Sequence, residues 1–331
     1  MKYLAYIESP LQAFNLMEYI DKYNLELDIL IINKKSSVST TNFSQICSVI
    51  SNFNIKKTIE IDIEAGKKNV LKVKRLINSF FGRNYEPFTL ISGEYRSMVF
   101  WYVCGRFYNR KVIIVDDGTA TLRIDRRRRG AKRIIRDKIY RLFGYADSYI
   151  EPISFFSIYD ISHKISRQDS ITLHDYDFFK SKMNLFPRGD NIVYVIGSPF
   201  LEAGVISGCD IKTTIDMINV LKKEYKQIVY IAHRRERQEK LAEISEHVLV
   251  QTLDYPFELL PLVQGKKIVA IAGFYSSLFD NMCIICGEEL KVECFYLPES
   301  IINSTWRTFV LDVYNNYKKY PENSFVFRYL P

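Results

Sequence analysis

Three short polar clusters each follow an apolar, strand-like run. They are Asp116-Asp117-Gly118 after Lys111 to Val115, His233 after Ile228 to Ala232, and Ser276-Ser277 shortly after Lys267 to Ala272. A carboxylate pair, an imidazole and a hydroxyl pair amount to a base, an acid and an anion cradle, enough for group transfer without a metal. Asp-Gly also closes ordinary turns. Two adjacent carboxylates exceed what a turn needs, however, and their repulsion is expected to raise one pKa into a range useful to a general base. His233, one of four histidines, is followed by Arg234 and Arg235. Helix starts favour acids, so cations there suit a bound anion, a phosphate held by the arginines and protonated or screened by the imidazole. A solvated turn is the plain alternative.

Ser276 and Ser277 read both as a helix N-cap and as hydroxyls on an anion at a helix N-terminus. Gly197-Ser198-Pro199, after the run ending at Ile196, has the same character. Such turns gathered in one half of the chain suggest a nucleotide. Glu258, in Tyr255-Pro256-Phe257-Glu258, is ordinary first-turn chemistry and also a candidate acceptor for ribose hydroxyls. No Walker-type phosphate loop, G-x-G-x-x-G fingerprint or G-x-S-x-G elbow occurs. Asp175-Tyr176-Asp177 resembles a metal-binding D-x-D pair but falls in a polar stretch and reads as surface. Cys283 and Cys286 form a C-x-x-C with no second pair, and Cys47, Cys104, Cys209 and Cys294 are scattered, so reduced thiols are expected rather than zinc or a disulfide framework.

Positioning these groups requires alternating strands and helices. Tyr3 to Ile7 predicts a strand, and Ser9-Pro10-Leu11-Gln12 a helix start with Ser9 as N-cap and Gln12 closing a capping box. Leu27 to Ile32, Thr89 to Ser92 and Lys111 to Val115 continue the series, and a second begins at Ile192. Residues 160–186 lack apolar periodicity, and Pro187-Arg188-Gly189-Asp190 signals a turn. The expected fold is α/β, two Rossmann-like doubly wound domains facing a cleft. The first spans residues 1–187 and the second 188–304, with a helical tail, 305–331, packing back on the first.

The 331 residues are 47% hydrophobic and 25% charged, ordinary for a soluble globular protein. No apolar run approaches the roughly 18 residues of a membrane span, and no basic-then-apolar leader is visible, so a cytoplasmic protein is expected. The net charge of +8 is local: Arg123 to Arg141 holds ten Lys or Arg and two Asp. Ala131, Ile135, Ile139 and Leu142 share one helical face there, read as a stripe packed inward beneath a solvated helix. The density of cations favours a further use, an anionic membrane surface. Nucleic acid is disfavoured as partner because only one aromatic, Tyr140, falls among the cations and no known reader motif occurs.

The ordered set Ser9-Pro10-Leu11-Gln12, Asp116-Asp117-Gly118, His233, Pro256-Phe257-Glu258 and Ser276-Ser277 resembles bacterial sialyltransferases of the two-domain GT-B architecture, the group of lipooligosaccharide sialyltransferases and capsular polysialyltransferases. The resemblance implies inverting, metal-independent transfer of sialic acid from CMP-sialic acid, with no further cofactor, to a hydroxyl of a cell-surface glycan in lipooligosaccharide or capsule. It implies Asp117 as general base, His233 on the leaving CMP phosphate, Glu258 on the cytidine ribose, and Ser276 and Ser277 on the phosphate. The first domain would then serve the acceptor and the second the donor. Asp116 joins the catalytic candidates, and Ser9, Gln12, Gly118, Gly197, Ser198 and Arg234 the substrate-binding ones. The family usually has Pro after the histidine, where this chain has Arg234. A glycan acceptor built on the membrane would place the enzyme peripherally on its inner face. Alternatives are another CMP-activated nonulosonic acid as donor, or a nonenzymatic basic nucleic-acid-binding protein.

Overall fold

Runs such as LDILIIN are apolar on both faces, which suits strands buried between helix layers rather than half-exposed ones. In the computed structural model, which describes residues 2–36, 41–51, 53–63, 69–82, 86–107, 111–127, 130–149, 151–208 and 210–331, such runs form two all-parallel sheets. The chain divides into two units, Met1–Asp177 and Phe178–Pro331. The first sheet contains β1 (Lys2–Ile7), β2 (Leu27–Asn33), β3 (Ile55–Ile61), β4 (Phe88–Ser92), β5 (Lys111–Val115), β6 (Ile153–Ser157) and β7 (Ser170–Leu173), in the order β3-β2-β1-β4-β5-β6-β7. Between its strands lie α1 (Pro10–Lys22), α2 (Thr41–Ile50), α3 (Val70–Phe81), α4 (Met98–Arg106) and α5 (Ala131–Leu142).

After α6 (Asp177–Met183), the second sheet contains β8 (Ile192–Ile196), β9 (Gln227–Ile231), β10 (Leu249–Gln251), β11 (Ala270–Gly273), β12 (Lys291–Phe295) and β13 (Phe325–Arg328), in the order β10-β9-β8-β11-β12-β13. Its helices are α7 (Asp210–Leu221), α8 (Gln238–Ser245), α9 (Leu260–Gln264), α10 (Ser277–Cys286) and α11 (Ser304–Tyr317). The order reverses between β1 and β4 in one sheet and between β8 and β11 in the other. At such switch points the connections diverge and leave a crevice at the carboxyl ends of the strands.

Two organisational expectations change. Residues 160–186 hold an edge strand, β7, whose mostly solvated side chains erase the apolar signal, and the division between units falls before the turn at Pro187. Tyr176, in a left-handed conformation, buries its ring and donates to Asn15 Oδ1 at 2.8 Å, while Asp175 and Asp177 beside it stay exposed. The tail, expected to pack on the first domain, belongs to the second unit. Val310, Val313, Tyr314 and Tyr317 enter that unit's core, and β13 extends its sheet.

Arg126, part of the basic run, is not a surface cation. It is buried, its Nε and Nη2 donate to Asp169 at 2.7 and 3.0 Å, and Nη2 also donates to the Glu151 carbonyl at 2.7 Å. This pair ties the segment after β5 to the β6–β7 edge. Removing one member of a buried ion pair strands the other, at a cost of about 3–5 kcal/mol. Arg126→Leu is therefore expected to lower the unfolding free energy by about that amount in urea titrations, and Asp169→Leu added to it to recover part of the loss. Unchanged stability in the single variant would refute this role.

Candidate active site

At the first switch point the turns after β1, β4 and β5 are linked through one side chain. Ser9 caps α1, its Oγ accepting from the Gln12 N–H at 3.3 Å. Gln12 Oε1 in turn accepts from the Glu8 N–H at 2.8 Å, one residue earlier than a capping box uses, and its Nε2 donates to Asp117 Oδ1 at 2.9 Å. Gly93, just after β4, makes room for this bridge: a Cβ there would stand 2.3 Å from Gln12 Cγ. The Asp117 N–H donates to Thr121 Oγ1 at 3.1 Å. Gly118 follows at φ +62°, a left-handed turn that glycine adopts without steric cost.

Burial holds the Asp117 carboxyl well above the ordinary carboxylate range, and the neighbouring Glu94 pushes the same way through its charge and a hydrogen bond. Gln12 and Arg96 oppose the shift. Arg96 also binds Glu94, Nε to Oε1 at 3.1 Å. A carboxylate with raised proton affinity is the more effective base. The like charge responsible is Glu94, not Asp116 as the adjacent pair suggests from sequence. Asp116 is buried and occupied: it accepts from Ser157 Oγ at 2.6 Å and the Ile158 N–H at 2.6 Å. It pins the end of β5 to that of β6, so its expected catalytic role gives way to a positioning one.

At the second switch point a buried network does the positioning. A Cβ on Gly197 would lie 2.3 Å from Glu236 Oε2 and 2.9 Å from the His233 nitrogen, so only glycine lets these turns meet. Glu236 accepts from the His233 N–H at 2.8 Å and from Tyr230 Oη at 2.7 Å, and pairs with Lys240 Nζ at 2.7 Å. Lys240, also buried, donates to the Ser198 carbonyl at 3.1 Å and pairs with Asp210 at 3.0 Å. The turn after β8 and the turn after β9 are thereby locked together.

His233 Nδ1 accepts the Arg235 N–H at 3.1 Å, which leaves the ring proton on Nε2. Burial, then the charges of Arg234 and Arg235, hold its pKa down to about 3, so the free imidazole is neutral at physiological pH. Glu258 lies in a 3₁₀ turn, Phe257–Leu259, ahead of α9, where a continuous helix from Pro256 is expected from sequence. Its carboxylate accepts from Asn281 Nδ2 at 2.8 Å. Burial raises its pKa, while Asn281 and the charge of Arg234 oppose the rise. Ser276 caps α10, accepting the Leu278 N–H at 3.2 Å, and Ser277 is the first helical residue. Tyr317 of α11 brackets Ser276, accepting its N–H at 3.1 Å and donating to its carbonyl at 2.7 Å.

The second unit therefore brings Gly197, Ser198, His233, Arg234, Glu258, Ser276 and Ser277 to one sheet edge, and the first unit does the same for Ser9, Gln12, Asp117 and Gly118. Glu94, Arg96, Glu236, Lys240 and Tyr317 were not singled out from sequence. Ser92-Gly93-Glu94 after a strand repeats the pattern of the Asp117 turn and was readable. Burial raises the thiol pKa of both Cys283 and Cys286, that of Cys286 to about 12, which makes them poor nucleophiles.

No protein-family model matches the chain, and no curated protein sequence matches it. Among solved structures, UDP-GlcNAc 2-epimerase from Methanocaldococcus jannaschii is similar with a TM-score of 0.52 at 12% identity, over 99% of this chain and 89% of that one. Neisseria meningitidis UDP-GlcNAc 2-epimerase bound to UDP-GlcNAc gives 0.46 at 9% identity, covering 97% and 92%. E. coli heptosyltransferase WaaC with ADP-2-deoxy-2-fluoro heptose gives 0.43 at 11%, covering 91% of each chain. The first similarity establishes a fold of two Rossmann-like parallel-sheet domains, the GT-B class.

Replacing Glu94 by Gln removes the like charge beside Asp117 but not the burial. The Asp117 titration midpoint, followed by carboxyl ¹³C NMR, is expected to fall in that variant yet stay above an ordinary aspartate. An unmoved midpoint would show that Glu94 is not the perturbing group.

Proposed function

We propose that the protein is an inverting glycosyltransferase that moves sialic acid from CMP-sialic acid to a hydroxyl of a cell-surface glycan, in lipooligosaccharide or capsule. The observation that carries this reading is Asp117, a carboxyl of raised proton affinity held by Gln12 at a strand end. The ordered motifs shared with the bacterial sialyltransferases support it. As the acceptor oxygen bonds to the anomeric carbon, its proton passes to Asp117. The bond from that carbon to the CMP phosphate breaks, and its electron pair leaves on the phosphate oxygen. The second unit's turns receive that charge: His233 Nε2–H, the Arg234 guanidinium, the Ser277 hydroxyl and the first N–H groups of α10 are the donors.

Neutral His233 acts first as a hydrogen-bond donor. A bound phosphate raises its proton affinity and so brings proton transfer within reach. Glu258, oriented by Asn281, would accept from the ribose hydroxyls. In this scheme donors on the chain meet the phosphate charge, and no metal or cofactor takes part. Another CMP-activated nonulosonic acid would satisfy the same nucleotide contacts, so the donor sugar must be screened directly.

The test is CMP release from a panel of CMP-activated acids with and without glycan acceptors, with product linkage read by NMR. Acceptor-dependent release, greatest with CMP-sialic acid, is expected. Asp117→Asn should lower the transfer rate about 10²- to 10⁴-fold while leaving CMP binding by calorimetry intact. Near wild-type transfer by that variant overturns Asp117 as base. No release from any donor overturns the reading as a whole.

A further inference from the structure

We infer that α5 is a docking helix for an anionic lipid bilayer, with Ile135, Ile139 and Leu142 entering the acyl boundary and flanking cations meeting lipid phosphates. The stripe expected to pack inward does the opposite: Ile135, Ile139 and Leu142 are 62%, 49% and 85% exposed. The inward face is made by other residues. Asp137 is buried there, and Arg133 donates to Tyr149 Oη at 2.7 Å.

At about 100° per residue, the outward face centres on Ile135 and Leu142. Lys132 and Arg136 stand on one side of it, Lys138 and Arg141 on the other. The sole acid of the helix is Asp137, turned inward and bound by Arg136 at 2.9 Å. Beside the stripe, α3 contributes Leu71, 55% exposed, and a groove of about 560 Å³ lined by Val70, Leu71, Ile135, Ile139 and Phe143 among others. α3 carries Lys72, Lys74 and Arg75 and no acid. Arg128 and Arg129, part of the same basic run, lie outside the described residues.

An apolar stripe between two cationic rows is the pattern of a helix lying in a membrane interface. A nucleic-acid backbone would leave the aliphatic centre without a partner. A second copy would set cations against cations. No helix among the described residues is long and apolar enough to cross a membrane, so the contact proposed is peripheral. The inference goes beyond the transfer reaction and does not rest on it.

The test is co-sedimentation of the full chain with vesicles of phosphatidylcholine alone and of phosphatidylcholine with phosphatidylglycerol. Binding to the anionic vesicles only, weakened by salt, is expected. Lys132→Ala with Lys138→Ala should lower affinity about 25-fold, at about fivefold per cation. Ile135→Gln with Ile139→Gln and Leu142→Gln should lower it more than about tenfold with all cations kept, and circular dichroism should show both variants folded. Wild-type binding by the glutamine variant would overturn insertion. So would absence of vesicle binding, whether the wild type instead retains a single-stranded RNA or forms a dimer that the glutamine variant loses.

Discussion

In each unit the sheet edge depends on ionisable groups partly withdrawn from water by the strand-end turns. The same desolvation acts with opposite sign on a carboxyl and an imidazole, since in each case the neutral form is favoured. It lifts the proton affinity of Asp117 and depresses that of His233. By linkage, the Asp117 contribution destabilises the fold increasingly as pH rises above the ordinary carboxyl range. The His233 contribution does so as pH falls from about 6.5 toward 3. The fold accepts a cost at each end, which is what keeping a carboxyl of raised proton affinity and a neutral imidazole requires.

That cost is tolerable because the surrounding polar groups are paired. Lys240 and Arg237 balance Glu236 and Asp210 in the second unit, and hydrogen bonds from this group reach the backbone of both His233 and Ser198. Buried pairs of this kind add little net stability but fix geometry, because any other arrangement strands a charge. Gln12 has the equivalent place in the first unit without a charge of its own. Its amide oxygen satisfies the turn after β1 and its amide nitrogen holds the turn after β5.

The alternation of strands and helices was legible because parallel strands buried on both faces leave continuous apolar runs. The polar residue directly after each run then marks a carboxyl end, which is how Asp117, His233 and Ser276 stand out. Direction was not legible. Successive residues leaving a strand point to opposite sides, so Asp116 and Asp117 look equivalent in sequence, while one is spent on Ser157 and the other meets Gln12 and Glu94. Glu94 escaped notice because Ser92 was read only as the end of its strand. The tail's place in the second unit's core was not legible because periodicity identifies a buried face without naming its partner. Tyr314 and Tyr317 settle that partner through hydrogen bonds to Leu297 and Ser276.

The basic segment makes the same point about charge. Its cations look uniform in sequence, yet Arg126 is a buried structural ligand and Arg133 faces inward. What remains on the outer face of α5 is a cation-flanked aliphatic stripe. Isolated exposed aliphatics are common on any globular surface and carry little meaning. Three on one stripe, continuous with Leu71 and a groove, are different, because contiguous apolar surface is disfavoured in water unless something covers it. The inward face of α5 is already satisfied by aromatic and ionic contacts. The stripe is therefore not needed to hold the helix in place, and the proposed bilayer contact would cover it.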